Sequence, residues 1–212
     1  MVSPALTPQV DASHYEFGKY VTRKRWDSFW HQIDEVTRLV PKTVLEVGPG
    51  LGVLKSVLAT LGIDVRTVDI DPALSPDILG SALNLPIADN SVDVACAFQV
   101  LEHFPFDDSG RAFAELARVA NKGIVISLPD SRRKWPYSIY IPKVGQKDFI
   151  LTPPHAPKAH EFNGQHYWEL NAKGYDENDI IRKFETYGNC TLLKRYSAPR
   201  NPYHRFMIFQ KA

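Results

Sequence analysis

The 212 residues carry 25 Lys and Arg against 24 Asp and Glu, a formal net charge of +1, so the chain lacks the strong overall field of nucleic-acid and membrane-surface proteins. A chain of this length reads as one domain that buries about 70% of its unfolded surface and needs no staples. The two cysteines, Cys96 and Cys190, sit in apolar runs; they point to a reducing, cytoplasmic setting, with neither a signal peptide nor a membrane span expected.

Residues 1–12 show little pattern and read as a loose tail. From His14 to Val40 apolar residues recur at helical steps, Phe29, Ile33 and Val36 among them, and Pro41 ends the segment. Val44–Val47 reads as a first strand, Leu51–Leu61 as its helix closed by Gly62, and Val65–Asp69 as a second strand. Ile78–Leu79 is a short third. Val92–Phe98 is nearly all apolar, as a central parallel strand should be. Ser109 is placed to cap a helix through Val119, ended by Asn121-Lys122-Gly123, before a fifth strand at Ile124–Leu128. Residues 129–174 hold six prolines and many aromatics, and read as an irregular excursion with at most short helical pieces. A helix at Asp176–Tyr187 and strands at Cys190–Tyr196 and His204–Phe209 follow. This alternation predicts a doubly wound α/β sheet. The single domain divides into a tail and helical cap (1–41), a cofactor-binding core (42–128), a substrate-side insertion (129–174) and a terminal helix and strand pair (175–212).

The run Val44-Leu45-Glu46-Val47-Gly48-Pro49-Gly50-Leu51-Gly52 feeds a buried strand into a glycine turn and a helix, a build that aims backbone amides at a nucleoside-type ligand. The spacing is G-x-G-x-G. A dinucleotide fingerprint would need a small residue where this chain has Val53. This run resembles the first motif of class I S-adenosylmethionine (SAM) dependent methyltransferases. The likeness continues through Val65-Arg66-Thr67-Val68-Asp69-Ile70-Asp71-Pro72, Leu85-Pro86-Ile87-Ala88-Asp89-Asn90-Ser91-Val92-Asp93-Val94 and Val100-Leu101-Glu102-His103-Phe104. It covers roughly residues 43–128 and implies a Rossmann-like seven-stranded sheet, order 3-2-1-4-5-7-6 with the last strand antiparallel.

The resemblance implies SAM as cofactor, with S-adenosylhomocysteine as product. Glu46 would hold the methionine ammonium. Gly48 would permit the turn, Gly50 a close approach of backbone to ligand, and Gly52 close packing of helix on sheet. Asp69, at the second strand's tip, would accept from the ribose hydroxyls, with Asp71 a competitor whose other role is capping the turn at Pro72. Ile70 and Leu83 would flank the adenine. Ser81 stands where relatives often have Asp, leaving Ala82 and Leu83 backbone to read the base. Gln99 would face the methionine end, and Tyr20 and Arg23 would close over its carboxylate.

The sulfonium is already electrophilic, so the protein has to align the acceptor and remove any proton it carries. His166 is the first choice of base and His103 the second. The spacing of His155, His160 and His166 fits no compact metal motif, and no metal is expected. Phe98-Gln99-Val100-Leu101 departs from the [D/N/S]-P-P-[Y/F] motif of enzymes that methylate DNA-base amines, and Thr152-Pro153-Pro154-His155 lies too far on to replace it. Arg132-Arg133-Lys134 would be plain surface or a hold for an anionic substrate. The reading is methyl transfer to oxygen or nitrogen of a small-molecule or glycan-like acceptor, by a monomer or homodimer, with no nucleic-acid partner expected. The alternatives are an RNA or protein methyltransferase and a SAM-binding protein without turnover.

Overall fold

The structure, a computed structural model, describes Tyr15, residues 17–154 and residues 156–212. The expected tail over 1–12 and His155 lie outside the described residues. Helices α1 (Phe17–Tyr20) and α2 (Arg23–Arg38) precede strand β1 (Thr43–Val47), helix α3 (Val53–Thr60), and strands β2 (Asp64–Asp69), β3 (Ile78–Leu79) and β4 (Val92–Phe98). Helix α4 (Phe106–Val119) leads into β5 (Ala120–Pro129). A hairpin of β6 (Trp135–Ile141) and β7 (Gly145–Leu151) follows, then α5 (Glu177–Gly188), β8 (Cys190–Ala198) and β9 (Asn201–Lys211).

Seven strands form one sheet in the order β3-β2-β1-β4-β5-β9-β8. The first five run parallel, and β9 enters antiparallel to both β5 and β8. With the separate hairpin left out of the numbering, this is the expected order 3-2-1-4-5-7-6. Alternation along the strands splits the core into two layers. Val94, Cys96, Val125, Phe206 and Ile208 face Val36 of α2 and Leu54 and Leu58 of α3. Ala95, Ala97, Ile124, Ile126 and Phe209 face Phe113 and Leu116 of α4 and Phe184 of α5. Both thiols are buried. Among the described residues no helix is long and apolar enough to cross a membrane.

Four expectations change. The N-terminal helix is broken at residues 21–22, because the Thr22 side chain accepts the Arg25 amide at 3.1 Å and starts α2 afresh. The excursion is not irregular throughout, since 135–151 forms the β6–β7 hairpin. Tyr137 pairs with Phe149 across it, the rings stacked at 5.3 Å. Pro136 is tolerated because both strands of a two-stranded sheet are edges, and Lys143 and Gly145 turn the chain at positive φ. Strand β5 begins at Ala120, so Asn121-Lys122-Gly123 lies in a strand and does not terminate a helix.

Ser109 is no cap either: α4 starts at Phe106, placing Ser109 inside it and fully buried. Its hydroxyl accepts from Trp168 Nε1 at 2.9 Å and donates to the Leu101 carbonyl at 2.7 Å. One hydroxyl thus ties the far end of the excursion to the loop after β4. Ser109→Ala would leave a buried indole N–H and a buried carbonyl short of partners, an expected loss of about 1–3 kcal/mol. Urea unfolding of the two proteins measures it, and equal midpoints would show that the tie is replaceable.

Candidate active site

A cavity of about 170 Å³, open to solvent, lies past the carboxyl ends of β1, β2 and β4, where open α/β sheets bind ligands. Strand β1 delivers Glu46, whose backbone lies between Thr67 of β2 and Cys96 of β4. Its carboxyl lines the cavity and is nearly fully buried, and Oε2 has no hydrogen-bond partner among the described residues. Burial pushes its pKa up to about 8, against a weak opposing pull from Lys55. Gly48 then turns at φ 71°, where a Cβ would lie 2.5 Å from Val100 Cγ2. At Gly50, φ 52°, a Cβ would come within 3.1 Å of the Tyr15 ring.

At the tip of β2, Asp69 lines the same cavity. Burial raises its pKa, while the backbone amides of Asp71 and Ile70 pull the other way. The Asp71 amide donates to Asp69 Oδ1 at 2.9 Å, and the Asp71 carboxylate caps the short turn Pro72–Leu74 through the Ala73 amide at 2.9 Å. Ile70, Gly80 and Ala82 continue the wall. Gln99, at φ 57°, is fixed by its amide on the Ser127 carbonyl and by Nε2 on Ser127 Oγ at 3.1 Å. Tyr15 and Tyr20 cross edge-to-face at 4.9 Å over the opening. Arg25 stacks on Tyr20 at 4.2 Å and donates to its hydroxyl at 3.1 Å.

Beyond Gln99, a short 3-10 turn (Leu101–His103) brings His103 to the cavity wall. The segment ending in Trp168 presses against this turn. The Tyr167 amide donates to the Glu102 carbonyl at 2.9 Å, and His103 Nδ1–H donates to the Gln165 carbonyl at 3.0 Å. His166 stands edge-on to His103, 5.2 Å between centroids. Its Nδ1–H donates to Glu169 Oε1 at 3.0 Å, and the Tyr203 hydroxyl donates to the same oxygen at 2.6 Å. Burial works against ionisation of Glu169, but these two hydrogen bonds outweigh it and hold its pKa below the usual value. Glu102 is fully buried, and burial lifts its pKa to about 8. Among the described residues neither of its carboxylate oxygens has a hydrogen-bond partner.

Residues 45–127 match the family described as methyltransferase domain. An uncharacterized methyltransferase of Mycobacterium tuberculosis (strain ATCC 25618 / H37Rv) is 32% identical over 117 residues, covering 49% of this chain and 47% of that protein. Another, from Mycobacteroides abscessus, is 33% identical over 138 residues, covering 58% and 49%. The chain thus spans about half the length of these relatives. A SAM-dependent methyltransferase from Clostridium acetobutylicum superposes with a TM-score of 0.60 at 13% identity, over 94% of this chain and 96% of that one. Family match and sheet order agree. Residues 45–127 thus resemble a methyltransferase domain, set in a sheet that shares the fold of the SAM-dependent methyltransferase it superposes on.

Of the residues expected to serve this methyltransferase domain, the cavity gathers Tyr20, Glu46, Gly48, Gly50, Asp69, Ile70, Ala82, Gln99 and His103. Gly52, Ser81, Leu83, Arg23 and His166 are not in its wall. A Cβ on Gly52 would meet nothing within 4 Å, so close packing is not its reason; it is the αL cap of α3, at φ 66°. Ser81 Oγ turns inward to accept the Leu83 amide at 3.2 Å, and Leu83 packs on the core. Arg23 is exposed, and Arg25 takes the place by Tyr20 foreseen for it. His166 stands behind His103. In the basic run, Arg132 and Lys134 both pair with buried Asp130, at 2.7 and 2.5 Å, leaving Arg133 as surface. Glu102 went unrecognised in the sequence; a carboxylate beside His103 in an otherwise apolar turn was the available signal.

Because the folded protein favours neutral Glu46, folding takes up a proton between pH 4.5 and about 8. The stability this contributes is complete below the lower value and is lost as pH rises through the upper one, at about 1.4 kcal/mol per pH unit. Glu46→Gln should remove that slope, so that the variant gains on the parent above pH 7 and converges with it below pH 5. Thermal melts of ligand-free protein from pH 5 to 9 check this; parallel curves would mean that Glu46 ionises freely in the folded state.

Proposed function

We propose that the chain transfers the methyl group of S-adenosylmethionine to an oxygen or nitrogen of a small-molecule or glycan-like acceptor. The observation that carries the reading is the unpartnered, buried Glu46 oxygen at the cavity wall, one strand away from Asp69. A neutral donor could satisfy that oxygen without offsetting its charge, whereas an ammonium supplies both a donor and a compensating charge. Gly48 and Gly50 leave backbone bare where side chains would intrude, and Asp69 offers acceptor oxygens suited to a sugar diol. Bound in this cradle, the cofactor supplies an activated methyl group.

The chain's own residues hold and orient. Glu46 and Gln99 would fix the methionine end, Asp69 the ribose, and Ile70 with Ala82 the base. Tyr20, with Arg25 beside it, would cover the carboxylate. We assign handling of the acceptor's proton to the His103–His166 pair and not to His166 alone, since only His103 reaches the cavity. Two structures of the same fold support a small acceptor. The 1,6-didemethyltoxoflavin N1-methyltransferase of Burkholderia thailandensis has a TM-score of 0.61 at 15% identity, over 94% of this chain and 84% of that one. The sugar N-methyltransferase KedS8 of Streptoalloteichus has 0.57 at 14%, over 89% and 90%. An RNA acceptor is the weaker reading, because Asp130 already engages two of the three cations in the basic run.

Asp69→Ala should weaken SAM binding by about 1.5–3 kcal/mol, the scale of a hydrogen bond to a charged group. Calorimetry reads this directly, and unchanged affinity removes Asp69 from the ribose. His103→Ala should keep SAM affinity but slow turnover ~100-fold, followed as S-adenosylhomocysteine release with an acceptor from a methyl-release screen. An unaltered kcat would return His103 to a purely structural role.

A further inference from the structure

We propose that Glu102, His103 and His166 form a binding site for a divalent transition-metal ion at the acceptor end of the cavity. The inference rests on the proposed methyl transfer for its role in catalysis but not for its existence. One ligand atom from each of the three side chains lies within 4.8 Å of the others, so side-chain shifts of about 1 Å would bring them to the ~3.5 Å spacing of tetrahedral ligation at ~2.0–2.2 Å.

The surroundings of the two histidines argue for the same site. A histidine binds metal through a nitrogen that carries no proton, and its other ring N–H is commonly held by a carboxylate or a carbonyl. His166 Nδ1–H is held by the Glu169 carboxylate and His103 Nδ1–H by the Gln165 carbonyl. Both hydrogen bonds fix the tautomer that carries its lone pair on Nε2. Glu169 is in turn held by Tyr203, so the His166 ring is braced through two successive hydrogen bonds. Glu102 adds the independent observation. It is 0% exposed, and neither carboxylate oxygen has a partner among the described residues. A buried acid without donors is costly, and a cation shared with two imidazoles would satisfy it.

Two imidazoles and one carboxylate suit Zn²⁺ and its first-row neighbours better than Mg²⁺, which prefers all-oxygen shells. Three protein ligands leave coordination positions open. His103 lines the cavity, so an open position there would favour an acceptor bearing a hydroxyl. With both imidazoles ligating, the pair would handle the acceptor's proton through the cation and not as a direct base: the cation would lower the pKa of that hydroxyl, whose proton leaves to water. The oxygen then uses a lone pair to bond the methyl carbon while the carbon–sulfur bond breaks, its electron pair staying on sulfur. The sum is a methyl ether, S-adenosylhomocysteine and one proton.

The test is titration of chelator-stripped protein with Zn²⁺, and with Co²⁺ for its visible ligand-field spectrum. One Zn²⁺ per chain is expected, with a Co²⁺ spectrum of nitrogen and oxygen ligation. Glu102→Gln and His166→Asn should each lose that ion. Glu169→Gln, which touches no metal, should weaken it by about 10–100-fold. Circular dichroism melts identify any variant that fails to fold, in which case Glu169→Gln and the remaining ligand variant decide. Absence of stoichiometric binding overturns the site. So does Zn²⁺ affinity that survives both ligand substitutions but falls in His160→Ala, which would place the ion on the excursion's other histidines. SAM calorimetry on the same stripped protein separates the two readings. SAM binding without Zn²⁺ binding sinks the metal site alone, and Zn²⁺ binding without SAM binding supports the metal site and sinks methyl transfer.

Discussion

Two buried carboxyl groups, each with an oxygen that has no hydrogen-bond partner among the described residues, set the terms for this molecule. Glu46 lines the cleft and Glu102 adjoins His103, which lines it too; each acid has its pKa lifted to about 8 by burial. A protein that only had to fold would replace such groups with apolar ones at little loss. Keeping them makes the cleft a place where positive charge is welcome twice, once beside the glycine turn and once beside His103. The rest of the fold holds these two acids in position and dry.

The holding is done from three directions. Parallel pairing of β1 with β2 and β4 fixes Glu46 through backbone register, so its position is as rigid as the sheet. The 165–170 segment fixes the other end through the Tyr167 and Trp168 donors and the carbonyl of Gln165, all converging on the loop after β4. Tyr15, Tyr20 and Arg25 cover the remaining side. Groups that must meet a ligand at fixed distances thus rest on sheet, buried hydroxyl and stacked rings.

The sheet and the glycine turn at the cleft were legible because their causes are local. A glycine at φ 71° with a neighbour 2.5 Å from its missing Cβ leaves its mark in the sequence at that one position. An acid at the end of a periodic apolar strand does the same. The region around His103 was not legible, because its causes are separated along the chain: His166 gains its meaning from His103, Glu169 and Tyr203, and Ser109 from Trp168. Ser109 looked like a helix cap because a cap and a buried hydroxyl beside a helix start are the same letter. The β6–β7 hairpin was hidden by Pro136 and Pro142, which blur the two-residue alternation that marks a strand. Arg25 displaced Arg23 because the helix break at Thr22 resets which face of α2 meets Tyr20.

The position of β9 has a consequence for how the molecule is made. It fills the slot between β5 and β8, although it is made after both of them. As the chain emerges during synthesis, everything through Ala198 can be out and β5 still has one side bare, with Phe113 and Phe184 lacking Phe209 between sheet and helices. The nascent chain therefore waits for Asn201–Lys211 before its sheet can close, and contacts spanning so much of the sequence are slow to form. Until then the unpaired side of β5 is the part most open to wrong partners, and most in need of a chaperone's shelter.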